Sequence, residues 1–124
     1  MKMEIMFRCG NAPKMERVIE LTVALAKNDL SLIEDNVRQD FNWKIIGEDE
    51  SFSLINIAFE LEKWSNVSKL TIENALSHGN GAMCEGELLL ENGKILYFCN
   101  VVKFVSTAKD ALIKEAHTYF IEHN

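Results

Sequence analysis

Between Ile95 and Phe104 the chain is apolar in both alternating phases, with Leu96, Phe98, Val102 and Phe104 in one and Ile95, Tyr97, Cys99 and Val101 in the other. Successive side chains of a strand point to opposite faces, so such a segment demands cover on both sides of its sheet. Two further strands lead into it. From Leu70 to His78 the apolar residues Leu70, Ile72 and Leu76 alternate with Lys69, Thr71, Glu73 and Ser77, a phase that also turns Asn74 and His78 inward. After the turn signal Gly79-Asn80-Gly81, Cys84, Gly86, Leu88 and Leu90 alternate with Met83, Glu85, Glu87 and Glu91. Asn92-Gly93 then predicts a type I′ hairpin, a turn that needs positive φ at both central positions. The three strands form an antiparallel meander around which the remaining chain must be arranged.

The preceding segments supply cover. Met3 to Phe7 is a short apolar lead-in that suits an edge strand. Asn11 is a candidate N-cap, Pro13 fits a first helical turn, and Val18, Leu21, Thr22 and Leu25 recur at helical spacing, so a helix runs to about Asn28. Asp29 can cap a second helix through Asn36, with Leu32 and Ile33 inward. Phe41, Trp43 and Ile45 mark a strand ending at Gly47. The acidic Glu48-Asp49-Glu50 with Ser51 reads as the start of a third helix, whose inner stripe is Leu54, Ile57, Ala58 and Leu61. Beyond a loop at Ser106 to Asp110, Ala111 to Ile121 is a last strand. Runs of helices followed by runs of strands indicate an α+β fold, with three helices on one face of a curved, mostly antiparallel sheet.

Several classes of function are excluded by composition. A chain of 124 residues, 48% of them hydrophobic, is expected to form one domain spanning 1–124. A net charge of −6 with scattered Lys and Arg argues against nucleic acid. No apolar run approaches the roughly 20 residues of a membrane span, and Met1 to Gly10 lacks the apolar core of a cleavable signal. Cys9, Cys84 and Cys99 are odd in number and widely spaced, which fits reduced thiols in a cytoplasmic protein. No Cys or His pair has metal-ligand spacing, and neither a metal nor a cofactor is expected.

Six short motifs, in this order, carry a resemblance. They are Cys9-Gly10-Asn11-Ala12-Pro13-Lys14, Ala26-Lys27-Asn28-Asp29, Asp40-Phe41-Asn42-Trp43, Ser77-His78-Gly79, Glu91-Asn92-Gly93-Lys94 and the run Phe98 to Phe104. Through them the chain resembles the nuclear-transport-factor-2-like superfamily, and within it the bacterial SnoaL-like proteins, over nearly its whole length. The resemblance implies a cone, in which a bent sheet wraps three helices around a cavity and the outer sheet face serves for homodimerisation. It fixes no function, since this fold hosts isomerases, dehydratases, cyclases, hydrolases and binding modules. One departure lies after the first long strand, where Gly47 leads almost directly to Phe52 and the cavity rim is expected to be short.

Isomerase-like relatives place an acidic hydrogen-bond donor where this chain has Asn100, a general base near Lys44 or Ile45, and a tyrosine near Leu21. An amide can donate a hydrogen bond but cannot act as an acid, and neither Lys44 nor Ile45 supplies a carboxylate, so that reaction lacks its machinery here. Dehydratase-like relatives pair a His with a carboxylate. The catalytic candidates on that pattern are His78, the one histidine in an inward phase, and Asp40, whose phase opposite Trp43 points it outward. For a pocket the candidates are Phe41, Trp43, Phe98, Asn100, Val102, Thr118 and Phe120, a mostly apolar set with a few polar groups. The expected partners are a small, largely apolar molecule and a second copy of the chain. A cone filled by its own side chains and used only for protein association is the competing expectation.

Overall fold

The computed structural model describes residues 1–6 and 12–123. The first helix, α1 (Pro13–Lys27), begins with Pro in its first turn and Ala12 at the cap position, without a side-chain cap. Asn11, the sequence candidate for that cap, lies outside the described residues, as do Phe7 and Cys9. Met15, Val18, Ile19, Leu21, Thr22 and Leu25 are buried, so the stripe read from the sequence is the face that meets the sheet. The helix stops where Asn28 turns left-handed at φ 57°. The Asp29 N–H then bonds back to Ala24 O at 2.9 Å and the Asn28 N–H to Leu25 O at 3.3 Å, a Schellman arrangement that satisfies two terminal carbonyls. In turn Asp29 accepts from the Leu32 N–H and caps α2 (Leu30–Asn36).

Seven strands form one sheet. In chain order they are β1 (Lys2–Ile5), β2 (Val37–Ile45), β3 (Ser51–Ser53), β4 (Val67–His78), β5 (Gly81–Leu90), β6 (Ile95–Phe104) and β7 (Ile113–Glu122), with α3 (Ile57–Glu62) between β3 and β4. Their order across the sheet is β1-β4-β5-β6-β7-β2-β3. The pairs β1·β4 and β2·β7 are parallel and the rest antiparallel. This is the α+β arrangement expected from the sequence, with three helices on a mostly antiparallel sheet. The meander is intact, and one phase of β5 and β6 is fully inside: Cys84, Leu88, Leu96, Phe98, Asn100, Val102 and Phe104 are all buried.

Four expectations are corrected. The Glu48 to Ser51 segment does not start a helix. Ser51–Ser53 instead pairs antiparallel with β2, placing Phe52 opposite Trp43 with ring centroids 5.8 Å apart, and α3 begins only at Ile57. In the α3 stripe Ile57 and Leu61 are buried, whereas Ala58 is exposed. At the β5–β6 turn Gly93 has φ 88° and Asn92 has no positive φ, so the connection is not type I′. The Gly93 N–H bonds to Leu90 O and the Leu90 N–H to Lys94 O, a three-residue loop closed by a left-handed Gly.

The fourth correction matters most for function. In β4 the register against β5 shifts between Ile72, paired with Gly86, and Asn74, paired with Glu85. Glu73 is therefore the extra residue of a β-bulge, and every side chain after it changes face. Ala75 becomes the buried residue, while Leu76 is 60% exposed and His78 is also exposed. The bulge depends on Gly86, since a Cβ there would lie 1.8 Å from the Thr71 backbone oxygen. Gly86→Ala is expected to cost more than about 3 kcal/mol, above the usual range for overpacking because the obstacle is backbone. A urea midpoint close to wild type would show that the strands separate easily at this point.

Candidate functional site

Four buried polar side chains, one each from α1, β6, β7 and β2, are joined by hydrogen bonds. An indole is a donor only, so the Trp43 Nε1–H must donate to Thr118 Oγ1, at 2.8 Å. The Thr118 hydroxyl donates in turn to Asn100 Oδ1, at 2.5 Å. That fixes the amide orientation, and Asn100 Nδ2 donates to Thr22 Oγ1 at 2.7 Å. Thr22 ends the chain by donating to the Val18 carbonyl of its own helix, at 2.9 Å. Thr22, Asn100 and Thr118 are each no more than 4% exposed, and pairing is what makes such burial tolerable.

This network forms part of the wall of a cavity that opens to solvent. Of the pocket residues expected from the sequence, Trp43, Phe98, Asn100, Thr118 and Phe120 line it. Phe41 and Val102 do not line it; both are fully buried in the core. The rest of the wall comes from Thr22, Leu25 and Ala26 of α1, from Val67 and Leu88 on the sheet, and from Trp64 in the turn after α3. Thr22 and Leu25 belong to the core stripe read from the sequence, whereas Ala26 lies outside it and Trp64 gives no signal there, since a lone aromatic in a turn carries no periodicity. Trp64 stacks on Phe120, with centroids 4.6 Å apart and planes at 23°, and the pair narrows the cavity. The space that accepts a water-sized sphere is about 30 Å³, room for one or two waters.

No wall residue titrates near neutral pH. His78 and Asp40 are both exposed and neither lines the cavity. The bulge at Glu73 explains His78. Asp40 lies in a second irregularity, where β2 residues 38–41 are unmatched against β7. There the Arg38 guanidinium donates to both carboxylate oxygens, at 2.5 and 2.7 Å, and holds the Asp40 pKa below its ordinary value. Asn74, which the sequence phase turns inward, is half-buried and accepts from the Ala75 N–H. Cys84 sits 3.1 Å from Thr22 Oγ1; burial pushes its thiol up to about 12. At neutral pH it is a thiol, not a thiolate nucleophile. Leu21 and Ile45 are buried and Lys44 exposed, so none serves as a cavity acid or base. Among the described residues no group of three His, Cys, Asp or Glu could hold a metal ion.

No protein-family model and no curated protein matches the chain. Solved structures do. A nuclear-transport-factor-2-like protein of unknown function from Burkholderia xenovorans superposes with a TM-score of 0.73 at 15% identity, covering 90% of this chain and 85% of that one. A provisionally named ketosteroid isomerase from Kribbella flavida gives 0.74 at 12% identity, covering 90% and 80%. A provisionally named SnoaL-like polyketide cyclase from Shewanella denitrificans gives 0.66 at 16% identity, covering 86% and 88%. The chain therefore has the nuclear-transport-factor-2-like, cystatin-like fold.

Two substitutions test the network. Thr118→Val strands the Trp43 N–H and removes the donor to Asn100, and should cost about 1–3 kcal/mol for each group left unpaired. Asn100→Asp should be destabilising at pH 7 to 8, because burial raises the folded-state pKa of a new carboxyl above its unfolded value of about 3.9. Its protonated form can imitate the amide, so the deficit should shrink as pH falls through the raised pKa, in thermal melts from pH 8 to 5. A deficit independent of pH would mean the position is wet.

Proposed function

We propose that this domain binds a small, neutral, largely apolar molecule in the cavity beside Trp43 and Asn100, and that it does so as a homodimer joined through the outer sheet face. The observation that carries the reading is the chemistry of the wall: indoles, aliphatic side chains, two hydroxyls and one amide, with no group able to move a proton at neutral pH. Such a wall suits binding and offers nothing for general acid–base catalysis. The neighbours named for a ketosteroid isomerase and a polyketide cyclase support a ring-bearing compound as the ligand class. They do not carry their reactions across, because the residue at the isomerase acid position is Asn100.

Support for dimerisation comes from the second phase of β6. Tyr97 and Val101, with Leu76, Tyr119 and Ile121 from other strands of the sheet, are exposed on the outer face, and Cys99 between them is half-buried. An apolar group of this kind on a sheet is what a partner surface requires. We place the protein in the cytoplasm on the strength of its free Cys84 and Cys99. No helix among the described residues is long and apolar enough to cross a membrane.

A second reading, protein association without a ligand, is favoured by the narrowness of the cavity. The two part on ligand binding and its pH dependence. The binding reading predicts that small bicyclic aromatic compounds raise the melting temperature, with an affinity unchanged between pH 6 and 9. A screen in which no such compound shifts the melt, with the protein still dimeric by light scattering, favours association. For the dimer itself, Tyr97→Glu together with Ile121→Glu should halve the mass in solution, and a monomeric wild type would remove that part of the proposal.

A further inference from the structure

The two tryptophans of the cavity differ in one respect. The Trp43 N–H is consumed by Thr118, whereas the Trp64 Nε1–H is buried and has no acceptor among the described residues. An indole nitrogen has only that one way to be satisfied, and stranding it costs about 1–3 kcal/mol. Trp64 also lines the cavity and stacks on Phe120 at its edge. A second hydrogen of the Asn100 amide is likewise unassigned after Nδ2 has served Thr22. The spare hydrogens at this cavity thus belong to N–H donors, and its wall holds no cation that could balance an anion.

We infer that the ligand carries an acceptor oxygen, such as a ring ketone, which accepts the Trp64 Nε1–H while its flat apolar body displaces the stacked Phe120 ring. This rests on the binding reading above and narrows it to neutral cyclic carbonyl compounds. Carboxylic acids are disfavoured, since an unpaired carboxylate is costly to bury. The ligand recognition is therefore assigned to the turn after α3, a segment outside the sheet and the long helix. Opening the Trp64–Phe120 pair is the way the narrow cavity gains the volume of a ring.

There is a rival partner inside the protein. Asn28 Oδ1 is also buried and unpaired, and Ala26 and Val67, which line the cavity, also border the cleft that contains Asn28. If that amide oxygen met the indole in solution, Trp64 would need no ligand.

The experiment compares 1-indanone with indane, which share a bicyclic body and differ by one carbonyl, in titrations of the ¹⁵N-labelled full chain. Trp43 and Trp64 give the two indole N–H signals. The expected result is that 1-indanone moves the Trp64 indole signal downfield and binds about tenfold more tightly than indane, the worth of one hydrogen bond. In Trp64→Phe, which keeps the stack, the two should bind within about twofold of each other. Equal binding of both probes to the wild type, with Trp64→Phe unchanged, overturns the acceptor inference and leaves the binding reading standing. Binding of neither probe at millimolar concentration removes both. Asn28→Ala supplies the last control: a Trp64 indole signal that moves in this variant without any probe means the rival pairing holds, and the inference fails. The wild-type shift is read independently of whether Trp64→Phe folds.

Discussion

The hydrogen-bond chain from Trp43 through Thr118 and Asn100 to Thr22 ties β2, β7, β6 and α1 together at a point where all four would otherwise bury polar atoms at a loss. Each link is forced by its neighbour. An indole can only donate, so Thr118 must accept from it and give its proton to Asn100, whose amide is thereby oriented toward Thr22. Networks of this kind are stabilising only when complete. Completeness also sets the function available to the cavity, because the hydroxyl protons that could have served chemistry are committed to structure.

The same constraint limits what position 100 can do, whereas identity to the structural neighbours is too low to carry more than the fold. A carboxyl group at position 100 would sit in a dry, polar-lined niche and could be held protonated as a hydrogen-bond donor. An amide there donates without titrating. Cys84, beside Thr22, adds nothing reactive, since burial keeps its thiol protonated. The remaining freedom lies at the mouth, where Trp64 and Phe120 are held to each other by stacking and Trp64 is only half-buried.

Legibility in the sequence follows the regularity of each segment. Strands β5 and β6 alternate without interruption, and β7 does so only beyond an irregularity at Lys114, from Ala116 onward, so phase places Phe98, Asn100 and Thr118 inside. Strand β4 defeats the same reasoning, because one inserted residue, Glu73, reverses the faces of everything after it and sends His78 outward. A trace of that bulge is present in the sequence: Gly86, in the middle of an otherwise apolar strand phase, marks a close backbone approach. Ser51–Ser53 is hidden by its brevity, and its acidic prelude favours the helix reading. Trp64 leaves no trace at all, since its position is set by the turn after α3 and by Phe120 across the cavity rather than by local pattern. Phe41 and Val102 have the correct phase, but phase alone does not say which core residue borders a cavity and which is packed on every side.

Ligand binding requires that the cavity beside Asn100 admit a molecule. A crystal structure of the protein soaked with a small bicyclic ketone measures this without relying on stability or spectroscopy. The expected result is ring-shaped density against Trp43 and Phe98, with Trp64 and Phe120 moved apart and the Trp43–Thr118–Asn100–Thr22 chain unchanged. Density confined to the outer sheet face, with the Trp64–Phe120 stack still closed over a cavity of water size, would contradict it.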